Sequence, residues 1–469
     1  MNLFKIAWRN AQQRGLSTLL TTISLALGVG LVVLVLSIHG IVSDAFQRNA
    51  TVGYNLVVGA KGSPLQLTLN TVYYLSQPVE NLPYDYYLEF FGQEERERQL
   101  AAYGGHLDEP NRPGKFALYA GSDAGGLVIP VCLGDYFGEY RVVGTTPAFL
   151  DNLKHGPDVD QPYEFREGRN FQTHSEENGF FEAVVGSRVA STMNIKVGDT
   201  FNPTHGDPDG KGHDLGFKIV GVLKPTGTPN DRATFVNMEG FYLMEGHAKP
   251  SEHGDEEEEA EADAEEEVVI VETDSEEAAV PNTPLPLDQR EVTAILLRPS
   301  QTMFAMMLQN VINEGLQAQA ATPIGEISKL MEQFVDPIRY VLLLITAITC
   351  IVAGVGILVS IYNSMNDRRR DIAVMRALGA RRGTVMWIIL LESGMIAVLG
   401  GLLGWIAAHG AIALASGTIE DRTGVPVNFF STTSAELYVL PLVLGLAAIA
   451  GFVPALVAYR TDVSRALAS

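Results

Sequence analysis

Leu16 to Ile38 reads LSTLLTTISLALGVGLVVLVLSI, 23 residues without a charge. A helix needs roughly 20 apolar residues to cross a bilayer, so this stretch decides the class of the fold. Three more stretches repeat the pattern: Tyr340 to Ile361, Val385 to about Ala415 with only Glu392 and His409 as interruptions, and Leu437 to Ala458 with Pro441 and Pro454 near its ends. The first stretch is too long for the apolar part of a cleaved leader, about 7–15 residues, so a retained helix is expected.

Working outward, the chain has 469 residues and a formal net charge of −22, very unevenly spread. Ile41 to Pro337 holds 20 Lys/Arg against 48 Asp/Glu, and the remainder is net basic. Such a split excludes a soluble cytosolic enzyme, and the acidic main region excludes a nucleic-acid binder. Two cysteines, Cys132 and Cys350, exclude a disulfide scaffold or a Cys-rich zinc module.

Short basic flanks set orientation. Lys5, Arg9 and Arg14 precede the first stretch; Arg368, Arg369, Arg370, Arg376, Arg381 and Arg382 separate the second from the third; Arg460 and Arg465 follow the fourth. Both termini and the Arg-rich loop are therefore expected in the cytoplasm, and the acidic region outside. The predicted fold is an α-helical membrane protein with four transmembrane helices (1+3) and a large α+β extracytoplasmic domain between the first and second. The expected boundaries are an amphipathic helix over 1–15, spans over 16–40, 338–361, 384–415 and 436–458, an outer domain over 41–337, an Arg-rich loop over 362–383, a short outer loop over 416–435 and a tail over 459–469. In the first segment Phe4, Ala7, Trp8 and Ala11 share a helical face.

Within the outer region, Tyr54 to Gly59, Glu182 to Val185, Phe217 to Leu223 and Val292 to Leu297 read as strands. Pro147 to Leu153, Arg188 to Met193 and Thr302 to Ala320 read as helices, with helical stalks over Ser43 to Thr51 and Pro323 to Arg339. Gly59 to Ser63 and Gly206 to Gly212 lack the G-x-x-x-x-G-K-[ST] spacing of a phosphate loop, so a turn after a strand is expected. Glu245 to Pro286 includes HAKPSEHGDEEEEAEADAEEE, too acidic to bury a core, and is predicted as a disordered insertion. His247 and His253 among its carboxylates offer at most a weak hold on a divalent cation, the alternative being a solvated acidic loop. No cofactor and no metal site is expected. Glu392 is read as a structural contact near the cytoplasmic interface, His409 as an interfacial residue, and Cys132 as buried or free.

The Arg-rich segment, Asn363 to Arg382, reads NSMNDRRRDIAVMRALGARR. Ile372, Met375 and Leu378 recur at helical spacing, and Gly379 is a natural stop because positive φ costs it nothing. A loop that only set topology would need the arginines and not the apolar stripe. Met365 to Ala380 resembles the E-R-x-R-E-I-G-I-x-[KR]-A-[LI]-G-A signature of FtsX-domain permeases, the MacB-like, mechanotransmission class of ABC transporters. Leu390-Leu-Glu-Ser, Gly400-Gly-Leu-Leu-Gly and Pro454 to Leu467 are similar to the later spans and ending of that family, with Val463 where proline is usual. Val143 to Leu150, Glu167-Gly-Arg, Val184-Val-Gly-Ser and Ile219 to Leu223 resemble its outer core domain, whereas Tyr74 to Asp123 resembles nothing in it.

The resemblance implies a permease subunit without chemistry of its own, transmitting the ATP-driven motion of a separate ATPase to the outer domain. The ATPase is expected to be a separate polypeptide, since the first span starts 15 residues from the beginning of this sequence. Export or extraction of a lipoprotein, peptide or drug is implied; the alternative is an FtsX-like regulator that activates an extracytoplasmic partner without transport. Implied partners are two copies of the ATPase, a second permease copy or paralogue, membrane lipid, and a periplasmic adaptor or substrate-binding protein. Asp367, Arg368, Arg369, Arg370, Asp371, Ile372, Met375, Arg376, Leu378 and Gly379 are the implied ATPase-coupling residues.

Overall fold

The computed structural model describes residues 3–13, 15–49, 53–120, 125–156, 159–206, 210, 212–249, 282–367, 369–423, 429–430 and 432–460. The chain divides into a helical unit, Met1–Ala45 with Met331–Ser469, and a mixed unit, Phe46–Leu330.

In the helical unit, Gly15–Asn49, Asp336–Asp367, Arg382–Thr423 and Val439–Arg460 are helices. Four helices are long and apolar enough to cross a membrane, with candidate spans at Gly15–Ser43, Pro323–Asn363, Arg382–Ile419 and Glu436–Val457. Each satisfies its own backbone groups, as a segment in lipid must. Their shared core includes Leu25, Val29, Val33, Ile357, Ile361, Val385, Ile389 and Ile396. Small residues let the backbones approach. A Cβ added at Gly404 would stand 2.5 Å from Ala26 O and 2.9 Å from Gly30 N, so the first and third apolar helices touch backbone to backbone there. The helix Leu3–Gln13 packs on Arg382–Thr423 through Ala7 and Ala11. Phe4 and Trp8 are instead about half exposed, which divides the face that the sequence groups together.

The mixed unit is built around a sheet of eleven strands among the described residues. Their order is Ala318–Ala321, Leu56–Ala60, Ala294–Arg298, Leu127–Phe137, Tyr140–Thr145, Ala233–Asn237, Glu182–Val185, Phe217–Leu223 and Phe165–Gly168, with Thr204–His205 beside Leu127–Phe137 and Thr200–Phe201 beside Phe217–Leu223. The sheet is mixed: Ala233–Asn237 runs parallel to Tyr140–Thr145, and Phe217–Leu223 parallel to Glu182–Val185. The central strands Tyr140–Thr145 and Ala233–Asn237 are buried along their whole length, with Arg141, Thr234 and Asn237 carried inside among apolar residues. Helices Ala148–Asn152 and Ser187–Thr192 fall where predicted. The helix predicted over Thr302 to Ala320 ends at Glu314, and Ala318–Ala321 turns back as an edge strand against Leu56–Ala60. Gly59 to Ser63 leads from a strand into the helix Pro64–Tyr73, where Ser63 caps by accepting from Gln66 N.

Between Tyr74 and Ala120 the chain carries helices Tyr84–Leu88 and Gln93–Tyr103 and an aromatic cluster of Tyr84, Tyr86, Tyr87, Phe90, Phe91 and Phe116. From 250 to 281 the predicted acidic insertion lies outside the described residues, as do His253, Arg368 and 461–469.

Candidate functional site

The described part of the Arg-rich segment includes the helix Arg369–Ala377, and the long helix before it is described up to Asp367. Its end is a Schellman closure: Gly379 N donates to Arg376 O at 3.1 Å, Ala380 N donates to Met375 O at 3.0 Å, and Gly379 has φ +97°. The predicted stop residue therefore has a geometric cause. The apolar stripe, however, is divided between two environments. Ile372 is 6% exposed and joins the core of the helical unit beside Ala373, with Met375 partly buried against it. Leu378 is 84% exposed, and Val374 stands beside it at 43%. The side chains of Asp367, Arg369, Arg370 and Asp371 lie outside the described residues, and Arg376 is half-buried. The helix is thus anchored through one face and presents a small apolar patch on another.

A polar network that the sequence reading did not find ties the opposite ends of the apolar helices together. Glu436 Oε1 accepts from Ser37 Oγ at 2.8 Å and from Thr433 N at 3.0 Å, and its Oε2 accepts from Trp405 Nε1 at 3.2 Å and lies 2.9 Å from His409 Nε2. His409 is 0% exposed and packs its ring on Trp405. Burial of two ionisable groups is affordable there because each is hydrogen-bonded. Nearby in the same unit, His39 Nε2 lies 3.1 Å from Asp336 Oδ1, joining the first and second apolar helices. Glu392 is buried.

In the mixed unit, the segments that resemble an outer core domain meet around one ion pair. Gly168 has φ +78° and abuts Val220 O, so only glycine fits. It aims Arg169 at Glu182, with two bonds of 2.7 and 2.8 Å. Burial alone would raise the Glu182 carboxyl, but the Arg169 guanidinium, Asn178 and the Gln172 N–H hold it down to about 2. A second pair, Arg290 with Glu239 at 2.8 and 3.0 Å, is wholly buried, and the guanidinium lies 3.9 Å from the Tyr103 ring centroid. Cys132 is buried under Tyr242, and burial pushes its thiol up to about 12, which makes it an inert packing residue.

Two family descriptions match this chain. FtsX-like permease C-terminal matches residues 343–463, and MacB-like periplasmic core domain matches residues 18–280. The macrolide export ATP-binding/permease protein MacB of Hahella chejuensis is 30% identical over 157 residues, 34% of this chain and 23% of that relative. The pyoverdine export ATP-binding/permease protein PvdT of Pseudomonas aeruginosa is 34% identical over 125 residues, 27% of this chain and 18% of the relative. MacB of Rhodopirellula baltica is 32% identical over 114 residues, 24% and 16% of the two chains. The matched stretches span less than a quarter of each of these relatives. With more than half of its length matched to the core domain and its later helices matched to the permease domain, the chain belongs to the MacB-like family of ABC transporter permeases.

Proposed function

We propose that this permease transmits ATP-driven motion from a partner ABC ATPase, held in two copies beneath a pair of permeases, to the mixed unit on the far side of the membrane. Both termini and Arg369–Ala377 face the cytoplasm in this reading, following the Arg-rich flanks. The carrying observation is the anchored helical segment Arg369–Ala377 and its glycine closure. Ile372 and Ala373 fix it in the helical core, the Gly379 closure stops it, and Leu378 with Val374 remains exposed beside the arginines. A rigid element with an unsatisfied apolar patch can pass a push from a docked partner into the helices it is built on. The names of the relatives pair ATP binding with a permease and support an ATPase partner. Their substrates, a macrolide and pyoverdine, support export of a small or medium-sized substrate.

The test is to solubilise the tagged chain from membranes and identify what is recovered with it. An ABC-type ATPase should co-purify, and ATP hydrolysis should belong to the complex and be absent from the single chain. Recovery of the chain with no ATPase, or hydrolysis by the pure single chain, would overturn the reading. A reporter inserted at residue 250 that works only in the cytoplasm would overturn the orientation.

A further inference from the structure

Asp135 lies in the strand Leu127–Phe137, where the ladder to Tyr140–Thr145 shifts register between Leu133 and Tyr136. Such irregularities re-aim a side chain, and here the carboxylate is turned inward until it is 0% exposed. Three histidines from separate stretches converge on it. His205 is its cross-strand partner, with Nδ1 3.1 Å from Asp135 Oδ1. His213 is held by its N–H on Pro203 O and places Nε2 3.2 Å from Asp135 Oδ2. His247 follows the helix Met238–Tyr242, packs its ring 4.3 Å from that of Phe241, and also places Nε2 3.2 Å from Oδ2. The two Nε2 atoms are 3.3 Å apart.

Oδ2, His213 Nε2 and His247 Nε2 therefore form a nearly equilateral triangle. Although both nitrogens are within ion-pair distance, Oδ2 has no hydrogen-bond partner among the described residues. The one bond the triangle supports, Nε2 to Nε2, leaves the buried oxygen unserved, at the cost that attends any buried, unpaired carboxylate oxygen. A cation at the centre answers all three atoms. With zinc–nitrogen and zinc–oxygen bonds of roughly 2.0–2.1 Å, neighbouring ligands of a tetrahedral shell are about 3.3 Å apart, the spacing found here. One ligand atom from each of the four residues lies within 4.8 Å of the others, so the more exposed His205 completes the shell.

We propose that Asp135, His205, His213 and His247 bind one divalent transition-metal ion of the zinc type. Three imidazoles and a carboxylate suit a borderline cation. Magnesium and calcium require six or more oxygens, and copper(I) favours sulfur. His247 is thus a buried ligand of an ordered site, unlike the loosely held residue of an acidic loop that the sequence suggests. The site is independent of the transport reading.

The test uses the full chain in detergent, stripped with a chelator and dialysed against Zn²⁺, with bound metal counted by mass spectrometry. One ion per chain is expected. His213→Ala with His247→Ala should weaken binding at least 100-fold, whereas deletion of Ser251 to Ala279 should leave it unchanged. Co²⁺ in the unmutated chain should give the intense visible bands of a tetrahedral complex, a readout that requires no variant to fold. His205→Ala, at an exposed ring, should weaken binding roughly 10–100-fold and alter the cobalt spectrum. The proposal fails if the unmutated chain holds no zinc, if cobalt gives only a weak octahedral spectrum, if the double variant binds as well as the parent, or if deleting the acidic stretch alone abolishes binding. Unchanged affinity and spectrum in His205→Ala would remove the fourth ligand.

Discussion

In the mixed unit Arg290 is buried whole, paired twice with Glu239 and framed by three tyrosine rings. In the helical unit a close helix contact uses no side chain on either side: Gly404 and Gly30 bring two backbones together. The two regions solve packing with different materials. In an aqueous setting, burying Tyr84, Phe90 and Phe217 is itself a driving force, and a polar group can be carried inside if it is fully paired. Between apolar helices that lipid would solvate equally well, close approach and a few hydrogen bonds must serve instead. The mixed unit should therefore be most sensitive to a broken charge pair and the helical unit to an added carbon.

The largest effect is expected at the buried pair. Glu239→Ala leaves Arg290 charged and unpaired inside the core and should cost about 3–5 kcal/mol. Replacing both, as Glu239→Leu with Arg290→Met, should cost far less, since the penalty belongs to the orphaned charge. Thermal unfolding of both variants checks this; equal losses would mean that the pair matters only as volume.

Next in size is Gly404→Ala. The new Cβ meets Ala26 O and Gly30 N, both backbone, so one helix must shift, at about 1–3 kcal/mol. The neighbouring Gly401, which has open space around its position, should accept alanine without loss. Crosslinking yield between cysteines placed on the first and third apolar helices reports the shift. Equal tolerance at both positions would end the contrast between the two units.

These two sites also show what could be read in advance. The apolar helices were legible because a long uncharged run has few other folds open to it, and the strands Glu182–Val185 and Phe217–Leu223 because β-branched runs bounded by glycine are distinctive. Gly379 was legible because a helical stripe ending in glycine has a local cause. The Glu436 network was not, since Ser37, Trp405, His409 and Glu436 come together only through tertiary packing. Asp135 gave no signal for the same reason, although His205 and His213, eight positions apart, flank the Gly206 to Gly212 run that is read only against a phosphate loop. The stripe over Ile372, Met375 and Leu378 was correctly periodic, but periodicity cannot say that its two ends face different neighbours.

A smaller effect follows from acid. The folded-state carboxyl of Glu182 is held below its unfolded value, so its contribution is complete above about pH 4.5 and is lost as pH falls towards about 2. Unfolding midpoints of the mixed unit should fall across that window, and Glu182→Gln should flatten the fall while leaving the helical unit unaffected. A slope unchanged by the substitution would move the acid sensitivity to other carboxylates.

The smallest effect on stability is expected at the patch that neither unit's packing uses. Leu378 is 84% exposed, so Leu378→Glu removes almost no buried area and should leave unfolding within about 0.5 kcal/mol of the parent. If the patch is where an ATPase docks, the same substitution places a charge in an apolar contact, and recovery of the ATPase should fall at least tenfold. Ile372→Glu, by contrast, puts a charge into the buried core that Ile372 shares with Ile361 and Val385 and should lower both stability and recovery. The pair separates a docking surface from a folding core only six positions apart, in the helix Arg369–Ala377 and the turn that closes it. Full recovery with Leu378→Glu would show that the partner does not contact this patch, and the proposed route of force through Arg369–Ala377 would have to be abandoned.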